Sequence, residues 1–229
     1  MTLVVLIRHA HSSANATGVL SGRRVGVSLS ELGRKQAKNL TSRLGAFPVK
    51  TLRSSPLERC EETMAPWIKK FGGSTQLEID EDLVEMDYGA WSGRKLRSLA
   101  KDPLWSKVQT QPSRVIFPMG ESMATMQSRA MNALFRALES PGKGAVVLVS
   151  HGDILKAIIA SSLGMHLDEF QRFVVDPASV SVLDFSYNKP RLILMNDSQS
   201  TLTDVLTSNH SKRKLVGGGS GVDTGRKPV

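Results

Sequence analysis

The chain has one cysteine, Cys60, in 229 residues. That count excludes an internal disulfide framework and any cysteine-rich zinc site, so the fold must rest on packing. Cys60 itself reads as a small, semi-buried helix residue. Long apolar runs are missing too. The opening MTLVVLIRHA has no basic leader region, and neither its apolar stretch nor any later one is long enough for a signal peptide or a membrane span. The expectation is a soluble, cytoplasmic protein with no membrane partner. No internal repeat recurs at solenoid periods.

Acidic residues are outnumbered, 21 against 30 Lys and Arg, for a formal charge of +9. Position decides what this means. Residues 207–229 carry Lys212, Arg213, Lys214, Arg226 and Lys227 against Asp223, so four of the nine charges sit in that stretch. The body keeps a modest excess, suited to attracting anionic small molecules, and nucleic acid is not expected as a partner.

What is present is the pattern of an α/β domain. Hydrophobic residues make up 40% of the chain and charged ones 22%, enough to bury a sizeable core. Residues 3–7, LVVLI, and 145–150, AVVLVS, are short continuous apolar runs, the mark of strands buried on both faces of a parallel sheet. Helical spacing runs from Ser30, a good N-cap, to Leu44, and a strand follows at 49–53. A helix is predicted from Pro56, as a first-turn proline, to Phe71, where Gly72 and Gly73 stop it. A long amphipathic helix is predicted over 121–138, another over 152–163, and closing strands at 180–185 and 192–195. Between Ser74 and Pro118 the pattern is irregular and reads as a lid-like excursion over the sheet's edge.

The fold expected is a single three-layer α/β domain, its mostly parallel sheet flanked by helices, over residues 1–196. Residues 197–229, with SKRKLVGGGSGVDTGRKP, lack periodicity and apolar content and read as a flexible, basic, Gly-rich tail.

The chemistry begins where the buried strands end. Ligands of parallel α/β sheets sit outside the carboxyl ends of the strands, where helix N-termini present unpaired N–H groups. The first run leads into Arg8, His9, Ala10, His11, Ser12 and Asn15, the later one into Ser150, His151, Gly152 and Asp153. Either strand-end histidine alone is weak evidence. Arg59 in SSPLERCEET and Glu85 in LVEMDYGAWSG complete a constellation. On RHAHSSAN, SPLERCEET, EMDYGAWSG and SHGD, in that order, the sequence resembles the histidine phosphatase superfamily, the phosphoglycerate-mutase-like fold, over about residues 3–195. Its pattern is RHGxTxxN, SxLxRAxxT, an acidic G-x-W-x-G segment and a late SHG. Ser12 replaces the threonine and Cys60 an alanine. Ala10 replaces a glycine, where positive φ or close backbone approach would be restricted.

The resemblance implies that His9 is the phosphorylated nucleophile. Arg8 and Arg59 would bind the phosphoryl oxygens with planar, permanently charged guanidiniums. Ser12, Asn15, His151 and the backbone of Gly152 join the substrate-binding set. Glu85 would protonate the leaving oxygen, helped by neighbouring carboxylates or burial, with Asp87 as second choice. His11 is read as pocket wall. Neither metal nor cofactor is expected, because phosphoryl transfer needs positioning and charge stabilisation above all.

The function implied is a phosphatase acting on phosphomonoesters of small metabolites through phosphohistidine, its partners a small phosphorylated substrate and phosphate. A phosphomutase is the alternative, disfavoured because LVEMDYGAWSG stands where mutases carry LNERHYG and a longer clamping segment. A catalytically silent phospho-ligand binding module is the third reading, motivated by Ala10 and the basic tail. A homodimer is left open, as is the identity of the substrate.

Overall fold

A computed structural model describes residues 2–207. Six strands form one sheet: β1 (Leu3–Arg8), β2 (Val49–Ser54), β3 (Leu77–Ile79), β4 (Ala145–Ser150), β5 (Val180–Asp184) and β6 (Arg191–Asp197). Their order is β3-β2-β4-β1-β5-β6. The first four run parallel, and β5 and β6 add an antiparallel margin.

The continuous apolar runs are explained by the two faces of this sheet. Along β1, Val4 and Leu6 face one cluster while Leu3, Val5 and Ile7 face the other. On β4, Val146 and Leu148 divide in the same way from Ala145, Val147 and Val149. Successive side chains of a strand point to opposite faces, so a strand covered on both sides must be apolar at every position. Each such side chain stabilises the fold by about 2 kcal/mol on burial.

The helices are α1 (Ser13–Thr17), α2 (Glu31–Leu44), α3 (Glu58–Phe71), α4 (Leu96–Leu99), α5 (Pro103–Thr110), α6 (Met123–Glu139), α7 (Gly152–Ser162) and α8 (Thr203–Thr207). Helices α6 and α7 supply much of one layer, with Met123, Met126, Ala130 and Leu134 buried against Ile154 and Ile158. Helices α2 and α3 supply the other, through Leu40, Leu44, Met64 and Trp67.

Several expectations need correction. Helix α3 starts at Glu58, not Pro56. Ser55 and Pro56 are used in the turn off β2, where Ser55 Oγ accepts the Leu57 N–H at 3.3 Å. Helix α6 starts at Met123, capped by Ser122 Oγ on the Thr125 N–H, which leaves Glu121 outside it for another use. The excursion over 74–118 is packed into the body, with Leu83, Met86, Trp91, Leu99 and Phe117 buried in the core.

The packed body also runs past 196. Asp197 pairs with Arg43 at 2.6 Å, the Leu202 N–H donates to the Arg43 carbonyl, and Leu202 and Leu206 are buried beside α2 and α3. Two apolar residues in a polar stretch are too few to reveal periodicity, yet enough to dock a single turn. The remainder of the predicted tail, 208–229, lies outside the described residues. No helix among the described residues is long and apolar enough to cross a membrane.

Candidate active site

Strands β1 and β4 are neighbours in register, with Arg8 opposite Ser150. The next residue of each chain is therefore placed side by side: the rings of His9 and His151 have centroids 5.1 Å apart, tilted by 58°. Register alone brings the two strand-end histidines together. His9 lines a cleft of about 390 Å³, together with Arg8, Asn15, Glu85, Tyr88, Gly152, Asp153 and Lys156.

His9 is 4% exposed. Its Nδ1 lies 2.8 Å from the Ala10 carbonyl, which must be met by an N–H, so Nε2 keeps its lone pair. Burial, then the charges of Arg59 and Arg8, hold its pKa well below the usual histidine value. The imidazole is neutral and nucleophilic at neutral pH.

Each arginine is tethered by one nitrogen to a loop carbonyl. Arg8 Nη1 donates to Val175 at 2.6 Å and Arg59 Nη2 to Gly22 at 2.9 Å. Arg59 and His151 are fully buried and do not line the cleft surface. Arg8 Nε, Arg59 Nε and Nη1, and His151 Nδ1 are all buried without a hydrogen-bond partner among the described residues. An unmet buried donor costs about 1–3 kcal/mol, and four in one place mark a site shaped for acceptor oxygens.

Asn15 and Ser12 form a capping box on α1: Asn15 Oδ1 accepts from the Ser12 N–H and Oγ–H at 2.9 Å each. The amide is thereby oriented with its Nδ2 hydrogens left over, and Asn15 lines the cleft. Ser12 does not. It acts by orienting Asn15 and is not itself a ligand-facing group. Gly152 opens α7, whose first N–H groups have no side-chain cap from His151, and it lies against the Arg8 guanidinium, where an added Cβ would sit in ordinary contact 3.5 Å from Cζ.

Glu85 lies largely buried, 12% exposed, with Oε1 accepting the Met86 N–H and Oε2 3.7 Å from His151 Nδ1. Burial first, and then the Asp153 charge, pushes its carboxyl up to about 7. The acidic run around it contributes little. Asp80 pairs with Arg53 and Arg136, Asp82 with Arg136, and Asp87 caps its own turn on the Gly89 N–H at 3.0 Å without lining the cleft. Among the described residues no three His, Cys, Asp or Glu side chains converge as a metal-ligand set.

Ala10 is accommodated without strain. Its φ is not positive, and its methyl is buried with Leu29, Ala37 and Ala178. The alanine in a left-handed conformation is Ala178, φ 59°, whose N–H donates to the His9 carbonyl. His11 is turned away from the cleft, bonded to Gln36 and Ser30, and borders a second cavity of about 370 Å³.

Several residues that hold the site in shape were not singled out from the sequence. Thr63 Oγ1 accepts the Ala10 N–H and donates to the Arg59 carbonyl, joining the His9 loop to α3. Tyr88 Oη donates to Asp153 Oδ2 at 2.7 Å. Glu121 binds Arg129 through both carboxylate oxygens and also Arg23, and each arginine donates to the Glu85 carbonyl. Gly89, φ 48°, passes so close to the Pro118 carbonyl that a Cβ would collide with it, which fixes the path of the Glu85 loop. Thr63 and Gly89 lie inside the motifs quoted above. Glu121 and Arg129 left no local signal.

A neutral histidine beside guanidinium donors left unpaired among the described residues, a second imidazole and a carboxyl raised to about 7 is an arrangement suited to phosphoryl transfer. Comparisons agree. Residues 4–198 match the family model of the histidine phosphatase superfamily (branch 1), and the chain belongs to that superfamily. It is 30% identical over 200 residues to phosphoserine phosphatase 1 of Hydrogenobacter thermophilus, covering 86% of this chain and 92% of that protein. It is 29% identical to the 2,3-bisphosphoglycerate-dependent phosphoglycerate mutase of Thermoplasma acidophilum, covering 80% and 88%. Among solved structures, the alpha-ribazole phosphatase of Shigella flexneri superimposes with a TM-score of 0.75 at 26% identity, covering 86% and 98%.

Proposed function

We propose that the protein is a phosphatase that hydrolyses phosphomonoesters of small metabolites through a phosphohistidine at His9. The observation that carries this reading is the set of four buried nitrogens, on Arg8, Arg59 and His151, that have no partner among the described residues and lie near a neutral imidazole. His9 Nε2 attacks phosphorus as the ester P–O bond breaks. Glu85 gives its proton to the departing oxygen, and the alcohol leaves. The Glu85 carboxylate then takes a proton from water, the water oxygen attacks phosphorus, and the P–N bond breaks to return the electron pair to Nε2. Phosphate departs and Glu85 is again protonated. Positive charge for both steps comes from the two guanidiniums and the α7 N-terminus, so the reading requires no metal.

The far wall of the cleft suits a compact, polar alcohol. Lys156 Nζ bonds Gln171 Oε1 at 3.0 Å and pairs with no carboxylate among the described residues, while Asp153 and Asp176 line the same cleft. A cation and two carboxylates favour a substrate carrying charges of both signs. Phosphoserine, the compound in the name of the Hydrogenobacter relative, is the first to try. A phosphate-release screen over amino-acid, sugar, nucleotide and glycerate phosphates, with chelator present, tests the proposal. Chelator-resistant release is expected. Activity abolished by chelator, or phosphoryl transfer between substrate hydroxyls without net release, would overturn it.

A further inference from the structure

The two ring nitrogens of His151 keep different company. Nε2 lies 2.7 Å from Ser55 Oγ and 3.6 Å from Cys60 Sγ, whereas Nδ1 has no hydrogen-bond partner among the described residues and stands 3.7 Å from Glu85 Oε2. Ser55 Oγ accepts the Leu57 N–H, which leaves its hydroxyl hydrogen and one lone pair; pointed at Nε2, that hydrogen makes the ring nitrogen the acceptor. Cys60 is fully buried, which pushes its thiol up to about 12 and keeps the S–H intact at neutral pH. Two donors therefore face one nitrogen. A neutral imidazole carries a single hydrogen, and when Nε2 accepts, that hydrogen is on Nδ1.

We propose that Ser55 and Cys60 are positioning residues that lock His151 as the Nδ1–H tautomer, so that its one hydrogen is presented to the phosphoryl group at His9. The catalytic consequence rests on the phosphatase reading; the tautomer does not. In the opposite tautomer the Nδ1 lone pair would confront phosphoryl oxygens, repelling what the site must hold. Ser55 belongs to the quoted motif, while Cys60 stands where the pattern has alanine, so the thiol is this chain's own addition to the lock.

Nitrogen-15 correlation spectra of the full chain, with the His151 ring assigned by its loss in His151→Gln, read the tautomer directly. The expected result is a protonated Nδ1 and an unprotonated Nε2. Ser55→Ala is expected to mix the tautomers and lower kcat/KM about tenfold, the cost of one hydrogen bond to a reacting group. Cys60→Ala should do the same more weakly, and Cys60→Ser should restore both readouts. A protonated Nε2 in the unaltered protein, or Cys60→Ala and Ser55→Ala spectra identical to it, overturns the proposal. Should Ser55→Ala fail to fold, the unaltered spectrum and the Cys60 pair still decide. If the spectra are as expected but no phosphoenzyme forms, it is the phosphatase reading that falls, and the tautomer assignment stands.

Discussion

Glu85 Oε2 and His151 Nδ1 lie 3.7 Å apart, within ion-pair distance, yet their surroundings favour neutrality in both. Burial pushes the Glu85 carboxyl up to about 7 and the His151 imidazole well below its ordinary value. Near neutral pH the site thus holds a carboxyl still largely able to give a proton, about half protonated, beside an uncharged imidazole, with positive charge supplied by Arg8 and Arg59.

Activity should follow the Glu85 proton. For an alkyl phosphate, kcat is expected to fall as pH rises through about 7, because the acid is lost. Glu85→Gln should remove that dependence and lower kcat by about 100-fold or more. An aryl phosphate such as p-nitrophenyl phosphate, whose leaving group needs little protonation, should lose much less. Equal losses on both substrates would show that Glu85 is not the acid.

Stability should follow the same proton. The folded-state pKa of Glu85 is raised, so its protonated form favours the fold fully below about 4.5, and this advantage is lost as pH rises through about 7. Glu85→Gln mimics the protonated form. Thermal unfolding across this range should show the variant matching the unaltered protein at pH 4.5 and exceeding it at pH 8; a constant offset would contradict the burial account.

Positioning of the Glu85 loop should divide between a buried and an exposed arginine. Arg129 is 12% exposed, binds Glu121 through two nitrogens and donates to the Asp82, Val84 and Glu85 carbonyls. Arg129→Met should cost about 3 kcal/mol of stability, since it takes the two-nitrogen partner from a largely buried carboxylate and leaves it only Arg23 and the Asp87 N–H, and should lower kcat as well. Arg23 is 37% exposed, so Arg23→Ala should cost less than about 1 kcal/mol while still loosening the Glu85 carbonyl. Denaturant titration and kcat, measured on both variants, separate these outcomes.

The backbone strain sits at Ala178, not at Ala10. Ala10→Gly should therefore destabilise by about 1 kcal/mol, through added freedom of the unfolded chain and a lost buried methyl, with no gain in activity. Ala178→Gly relieves a left-handed alanine at a cost of about 1–2 kcal/mol to the present fold, so it should be neutral or stabilising. The reverse order in thermal unfolding would contradict the assignment.

The sheet was legible because β1 and β4 are apolar at every position, a pattern that only burial on both faces demands. That His9, Arg8, Arg59, Glu85 and His151 come together was legible because each sits in a compact motif with a fixed place in the fold. What escaped was set by distant partners. Glu121 reads as the first residue of a helix, and only its bonds to Arg23 and Arg129 show it to be the anchor of the Glu85 loop. The carboxyl of Glu85 is expected to be raised by its acidic neighbours in sequence or by burial; burial is the larger cause, and the like charge comes from Asp153, 68 positions on. Ala10 drew suspicion because local pattern cannot reveal φ, and Leu202 and Leu206 were hidden in a polar stretch too short to show a period.

The central claim is a covalent bond between phosphorus and His9. Brief incubation of the full chain with phosphoserine or p-nitrophenyl phosphate labelled at phosphorus, followed by denaturation, tests it most directly. The account predicts a phosphoprotein that is labile to acid and stable to base, absent in His9→Ala, and longer-lived in Glu85→Gln when the leaving group is aryl. Turnover with no such intermediate, or label that persists in His9→Ala, would contradict it.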